Sequence, residues 1–98
     1  MSERLTVIAH AIAIKGKEKE LRVILEGFVA PTRAEEGCIN YDLHQSITNP
    51  CEFVFYENWT SQSALDAHLK TPHIVNGSAA AKDLLAEPVK ITLWKQIR

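Results

Sequence analysis

INYDLHQSITNPCEFVFYENW, residues 39–59, is the stretch whose reading decides the fold. Ile39, Tyr41, Leu43 and Ile47 alternate with Asn40, Asp42, His44 and Ser46, the pattern of a half-buried strand with one wet face, suited to the edge of a sheet. Thr48-Asn49-Pro50 signals a turn, and Glu52 to Trp59 resumes β character with Phe53, Val54, Phe55, Tyr56 and Trp59. The pair predicts a hairpin. The length of its turn is not fixed by the sequence, so two registers stay open, one that sets Tyr41 with Glu57 and one that sets it with Asn58.

On each side of the hairpin lie a helix and then a strand. Upstream, Leu21, Ile24, Leu25 and Phe28 fall at i, i+3, i+4 and i+7, the stripe of an amphipathic helix. Pro31 has no N–H for the carbonyl of Gly27, which predicts a kink or an end there, then a last turn from Thr32 to Glu36 closed by Gly37 in the left-handed conformation. Leu5 to Ile14 is apolar in both of its alternating sets and reads as a strand covered on both faces. Downstream, Thr60 or Ser61 caps a helix in which Leu65, His68 and Leu69 share one side, and Thr71-Pro72 gives a second start that carries His73 to about Leu85. Pro88 opens a final strand where Val89, Ile91, Leu93 and Ile97 alternate with Lys90, Thr92 and Gln96.

The order β-α-β-β-α-β predicts a single α+β domain over residues 1–98, with a ferredoxin-like antiparallel sheet and both helices on one side of it. The other side is left bare, although the first and third strands are apolar on both faces. A second copy of the chain is the economical cover, so a homodimer is expected.

Composition narrows the function classes. Ninety-eight residues with 46% apolar and 23% charged side chains are ordinary for a folded domain of modest core. Lysine and arginine are scattered through a chain of net charge −1, which gives no basic stripe for a nucleic-acid backbone or an anionic membrane. The acidic residue in the start and the polar breaks at Thr6 and His10 do not make a signal peptide, and no run approaches the roughly 20 apolar residues that span a bilayer, so a cytoplasmic location is expected. Cys38 and Cys51 fall at opposite ends of the hairpin, roughly 30 Å apart at strand rise and far beyond the ~7 Å a disulfide allows, and they are expected as buried thiols. With no CxxC and no Cys–His cluster, no structural zinc is expected.

The residues with chemistry are few. His68 lies beside Leu65 and Leu69 on the helix side that meets the sheet, and reads either as a packed, capping imidazole or as a general base. As a helix-end ring, its removal is expected to cost little stability. Glu57, on an aromatic strand, is either a carboxylate held by a hydroxyl or a catalytic one with a raised pKa. Trp59 reads as core or pocket wall, His73 as a solvated first-turn histidine, and His10 and His44 have no implied partner. The chain lacks G-x-G-x-x-G, a P-loop, G-x-S-x-G and H-E-x-x-H, so no tightly bound cofactor or metal is expected.

Three blocks in order carry a family resemblance: Thr32-Arg33-Ala34-Glu35-Glu36-Gly37-Cys38 leading into Tyr41, then Phe55-Tyr56-Glu57-Asn58-Trp59, then Leu65-Asp66-Ala67-His68 with Thr71-Pro72-His73. From about Leu5 to Trp94 the chain resembles the antibiotic biosynthesis monooxygenase domain, including bacterial quinol monooxygenases. The resemblance implies a dimeric α+β barrel with an apolar pocket between sheet and helices. It also implies oxidation of a quinol or polycyclic phenol by O₂ without flavin, haem or metal. On this sequence it implies His68 as the base for the phenolic proton, Tyr41, Tyr56 and Trp59 as walls around an aromatic ring, Glu57 or Asn58 as its orienting group, and His73 beside it. Two alternatives come with the family. One is an isomerase of a phosphorylated signalling diketone, with His68 and His73 as acid and base and Arg33 or Lys70 for the phosphate; the other is a non-catalytic ligand-binding dimer. Haem degradation by Asn, Trp and His fits poorly, because neighbouring Asn58 and Trp59 project to opposite faces of a strand.

Overall fold

The computed structural model describes residues 4–98. Its elements run β1 (Leu5–Ile12), α1 (Glu18–Gly27), α2 (Val29–Arg33), β2 (Cys38–Gln45), β3 (Glu52–Trp59), α3 (Gln62–His68), α4 (Pro72–Ala81), a 3₁₀ turn (Lys82–Leu84) and β4 (Lys90–Trp94). The strands form one antiparallel sheet in the order β2-β3-β1-β4, which is the ferredoxin-like arrangement. β2, with its wet face, takes an edge as its alternation requires. Among the described residues no helix is long and apolar enough to cross a membrane.

Strand periodicity decides what lies on each face. Val7, Ala9, Ala11, Phe53, Phe55 and Trp59 turn toward the helices and are buried with Leu21, Leu25 and Phe28 of the first helical segment and Leu65 and Ile74 of the later ones. Small residues on β1 leave room above the middle of the sheet. The opposite face carries Ile8, Val54, Tyr56 and Trp94 with no element over it among the described residues, and there Tyr56 is 43% and Trp94 57% exposed. Ile47, placed by its alternation in the hairpin's buried set, is instead fully exposed, because β2 ends at Gln45 and the turn takes over.

The first helix breaks where proline forces it to. Pro31 cannot donate to the carbonyl of Gly27, so α1 ends there and the Phe28 N–H drops back to Leu25 O at 3.1 Å before α2 begins. α2 stops at Arg33, short of the expected Glu36, and the turn closes through Cys38 N–H to Glu35 O at 3.2 Å. The later helix is broken as expected. Ser61 caps α3 by accepting from the Ala64 N–H at 3.2 Å, and Pro72 restarts the chain as α4, which ends at Ala81 rather than near Leu85 as the 3₁₀ turn takes over.

Gly37 lets the α2–β2 turn lie against α3. Its φ is +87°, and a Cβ added there would stand 2.5 Å from the Ala64 Cβ and 2.9 Å from Thr60 Oγ1. Backbone strain and collision therefore act together. Gly37→Ala is expected to lower unfolding free energy by about 1–3 kcal/mol. Urea denaturation of variant and wild type checks this, and an unchanged midpoint would show that the turn relaxes without cost.

Candidate functional site

The hairpin register brings Tyr41 opposite Glu57, with Leu43 opposite Phe55, after a bulge between Cys38 and Asn40. Tyr41, Phe55 and Glu57 thus share the helix-side face. Above them, α3 and α4 cover the small side chains of β1, leaving a chamber of about 140 Å³ lined by Val7, Ala9, Ala11, Leu25, Phe28, Tyr41, Phe55, Glu57, Leu65, His68 and Ile74. Val89, just before the edge strand β4, and Ile91 within it, 42% and 45% exposed, line it where the cover ends. The walls carry no lysine or arginine.

His68, the last residue of α3, is only 3% exposed, which no solvated helix-end histidine would be. Its ring lies 4.6 Å from that of Trp59 and 5.4 Å, edge-on, from that of Tyr41. This packing raises the expected cost of removing it above that of an ordinary helix-end ring. The His68 Nδ1 lies 2.8 Å from Glu35 Oε2, in the turn after α2. When Nδ1 carries the proton it donates to that carboxylate, and Nε2 keeps its lone pair for a ligand in the chamber. Burial pushes the His68 pKa down, while the bond and charge of Glu35 oppose the shift. The net shift favours the uncharged ring.

Glu57 is buried, and its Oε1 accepts from Trp59 Nε1 at 2.9 Å. Burial raises its pKa to about 7 against the help of that bond, and the Glu35 charge adds to the rise. At neutral pH Glu57 can therefore donate or accept. Burial likewise pushes the Tyr41 phenol far up, so its hydroxyl keeps its proton.

Of the residues singled out in the sequence, Tyr41, Glu57 and His68 meet on the chamber wall. Trp59 stands behind His68, its ring tilted 38° against the imidazole. His73 is also behind, with Nε2 2.9 Å from Thr32 Oγ1 and 3.2 Å from Glu35 Oε2. Tyr56 and Asn58 lie on the opposite face, because the two-residue repeat of β3 that turns Glu57 inward must turn its neighbours out. They do not wall the chamber. Asn58 is occupied there: its Oδ1 accepts from Thr6 Oγ1 at 2.6 Å and its amide donates to Asn40 Oδ1 at 2.8 Å.

Arg33 donates to Asp42 Oδ1 at 2.9 Å and to the Tyr41 carbonyl, away from the chamber. His10 pairs with Glu52 at 3.6 Å, and His44 Nδ1 lies 3.2 Å from the Asp42 carbonyl. Cys38 and Cys51 are free thiols, each partly rather than fully buried, and burial raises the pKa of Cys38. Sequence reading passed over Glu35 and Thr32 as site residues. Only the charge and hydroxyl within Thr32-Arg33-Ala34-Glu35-Glu36 hinted at them, since 33 positions separate Glu35 from His68. A larger open hollow of about 370 Å³ lies between α1 and β2, but Arg22 pairs there with Glu26 and Arg33 with Asp42, which leaves it without an acid–base pair facing an enclosed space.

Glu57 makes a prediction with a definite sign. Its folded pKa of about 7 lies above the reference value of 4.5, so its contribution favours folding most below pH 4.5 and is lost as pH rises to about 7. Glu57→Gln keeps an acceptor for Trp59 without the charge. The stability of the variant relative to wild type is expected to rise across that interval by on the order of 3 kcal/mol and to level off above it. Denaturant titrations at pH 5, 6, 7 and 8 check this; a constant difference would mean that Glu57 titrates normally.

Residues 4–80 match the antibiotic biosynthesis monooxygenase family. Over 93 residues the chain is 38% identical to Rv0793 of Mycobacterium tuberculosis, covering 95% of this chain and 91% of that one. Over 99 aligned positions it is 34% identical to "Probable quinol monooxygenase YgiN" of Escherichia coli, covering 89% and 94%. An uncharacterized Synechocystis protein is 37% identical over 90 residues, or 91% of this chain, which spans only 61% of that relative's length. The crystal structure of PA3566 from Pseudomonas aeruginosa superposes with a TM-score of 0.94 at 38% identity, covering 100% of this chain and 98% of the other. By sequence match and by fold, the chain belongs to the antibiotic biosynthesis monooxygenase family.

Proposed function

We propose that this chain is a cofactor-independent monooxygenase that oxidises a hydroquinone or related phenol with O₂, using His68 as general base. The observation that carries the reading is a buried imidazole set in an apolar chamber, with its outer nitrogen held by Glu35. Nε2 takes the phenolic proton, and the Glu35 carboxylate stabilises the imidazolium that results. Tyr41 and Glu57 supply polar atoms to orient the ring. The deprotonated ring then gives its electrons to O₂. One oxygen atom replaces a ring hydrogen as a new C–OH and the other leaves as water with two hydrogens of the substrate, so the quinol ends as a hydroxyquinone and supplies all four electrons that reduce O₂. An apolar wall protects the carbanion-like intermediate from a proton of water until it meets O₂.

The chamber volume of about 140 Å³ favours a single ring over a polycyclic phenol, since cavities of about 150 Å³ in another protein admit benzene. The name borne by the Escherichia coli relative points to the same substrate class. The phosphorylated-diketone alternative is disfavoured, because a phosphate needs a cation, and among the described residues neither Arg33 nor Lys70 lines the chamber, while Arg33 is engaged by Asp42.

Oxygen uptake by chelator-treated protein with single-ring hydroquinones, corrected for autoxidation, is expected to exceed the protein-free rate. His68→Ala should lower kcat by about 10²–10⁴-fold when assayed well below its own melting temperature. Uptake equal to the blank across several quinols would end the monooxygenase reading.

The assembly proposed with this activity is a cytoplasmic homodimer that buries the face bearing Ile8, Val54, Tyr56 and Trp94. Those side chains form an apolar surface with no cover within the chain. Multi-angle light scattering is expected to give twice 11.0 kDa, and Tyr56→Lys to shift the species toward monomer. A wild-type mass of one chain at all concentrations would refute the dimer.

A further inference from the structure

Behind the chamber wall, three side chains direct metal-ligating atoms at one another. His68 Nδ1 is 2.8 Å and His73 Nε2 3.2 Å from Oε2 of Glu35, and one ligand atom from each of the three residues lies within 4.8 Å of the others. We infer that Glu35, His68 and His73 form a binding site for a first-row divalent cation of the zinc class, held through Glu35 Oε2, His68 Nδ1 and His73 Nε2.

The chemistry of the donors narrows the ion to the first-row transition metals. Two imidazoles with one carboxylate suit Zn²⁺, Co²⁺ or Ni²⁺, whereas Mg²⁺ and Ca²⁺ seek sets made of oxygen. The spacing also fits. A triangle with sides of 2.8 and 3.2 Å and a third of at most 4.8 Å has a point no more than about 2.5 Å from all three corners. Coordination at about 2.0–2.2 Å then needs movements of only a few tenths of an ångström.

The chain holds these donors in place from three directions. Glu35 sits in the turn after α2, His68 ends α3, and His73 is the second residue of α4. Thr71 Oγ1 donates to the His68 carbonyl at 2.8 Å and Pro72 restarts the helix, so the bend between α3 and α4 sets both rings on the same carboxylate. Thr32 Oγ1, 2.9 Å from His73 Nε2, is placed to hold a water on the ion. Access does not require the chamber. His73 is 24% exposed at its side chain, and Glu35 also lines a surface hollow of about 340 Å³ beside Gly37, Thr60 and Ala64.

One consequence rests on the proposed function. A cation on Nδ1 forces the proton of the neutral His68 ring onto Nε2, which turns the base into a donor. Ion binding and proton abstraction by this ring exclude each other, so the ion acts as a reversible inhibitor.

The test uses the full chain, stripped with chelator and titrated with Co²⁺ while the visible ligand-field bands are followed. Saturation at one ion per chain is expected, with displacement by Zn²⁺ and at least tenfold weaker binding in both His73→Ala and Glu35→Gln. His10→Ala, on the far side of the sheet, should bind as wild type. Glu35→Gln preserves shape and a hydrogen-bond acceptor, so it reports on the site even if His73→Ala folds poorly. Absence of saturable bands, or bands unchanged in both variants, would overturn the site and leave the three side chains as a hydrogen-bonded network only. No substrate enters this measurement, so its outcome stands whether or not the protein consumes oxygen.

Discussion

Everything about the chamber depends on one constraint, the two-residue repeat of β3 clamped between β1 and β2. A strand with partners on both sides cannot slip by one residue without turning its whole buried set outward. That fixes Phe53, Phe55, Glu57 and Trp59 beneath the helices and sends Val54, Tyr56 and Asn58 to the other face. From this single phase follow the packing of Trp59 against His68, the pairing of Tyr41 with Glu57, and the apolar outer surface.

Buried polar groups are costly unless partnered, and the interior meets that cost with short contacts, one between distant segments and one within a single strand. Glu35 reaches His68 across 33 residues, and Trp59 reaches Glu57 across two. The first contact ties the α2–β2 turn to the end of α3. It works only because Gly37 lets that turn approach Ala64. A backbone detail with no chemistry of its own thereby orients the imidazole.

Electrostatically, the chamber drives two titratable groups in opposite senses. Burial raises Glu57 to about 7 and lowers His68, and each shift favours the uncharged form. Close to neutrality the wall carries little net charge while still offering a proton acceptor and a proton donor. Such a surface suits an uncharged aromatic ring and O₂ better than a phosphorylated ligand.

Local sequence alone determined the elements and their order. The alternation in residues 39–59, the stripe from Leu21 to Phe28, the break at Pro31 and the restart at Thr71-Pro72 are each written in neighbouring residues, and they imply the β-α-β-β-α-β fold without further help. His68 and Glu57, which line the chamber, were legible because a polar group in an apolar stripe stands out, whereas Tyr41 was marked only by the family resemblance. Tertiary structure alone decided the rest. The hairpin register needed the contacts of both faces of β3, and so did the exclusion of Tyr56 and Asn58 from the chamber. Glu35 and Thr32 were silent because their partners come from helices far along the chain, and side-chain spacing encodes only contacts within one element. His73, which reads locally as a solvated histidine, joins them for the same reason: a bend between two helices converts separation along the chain into proximity.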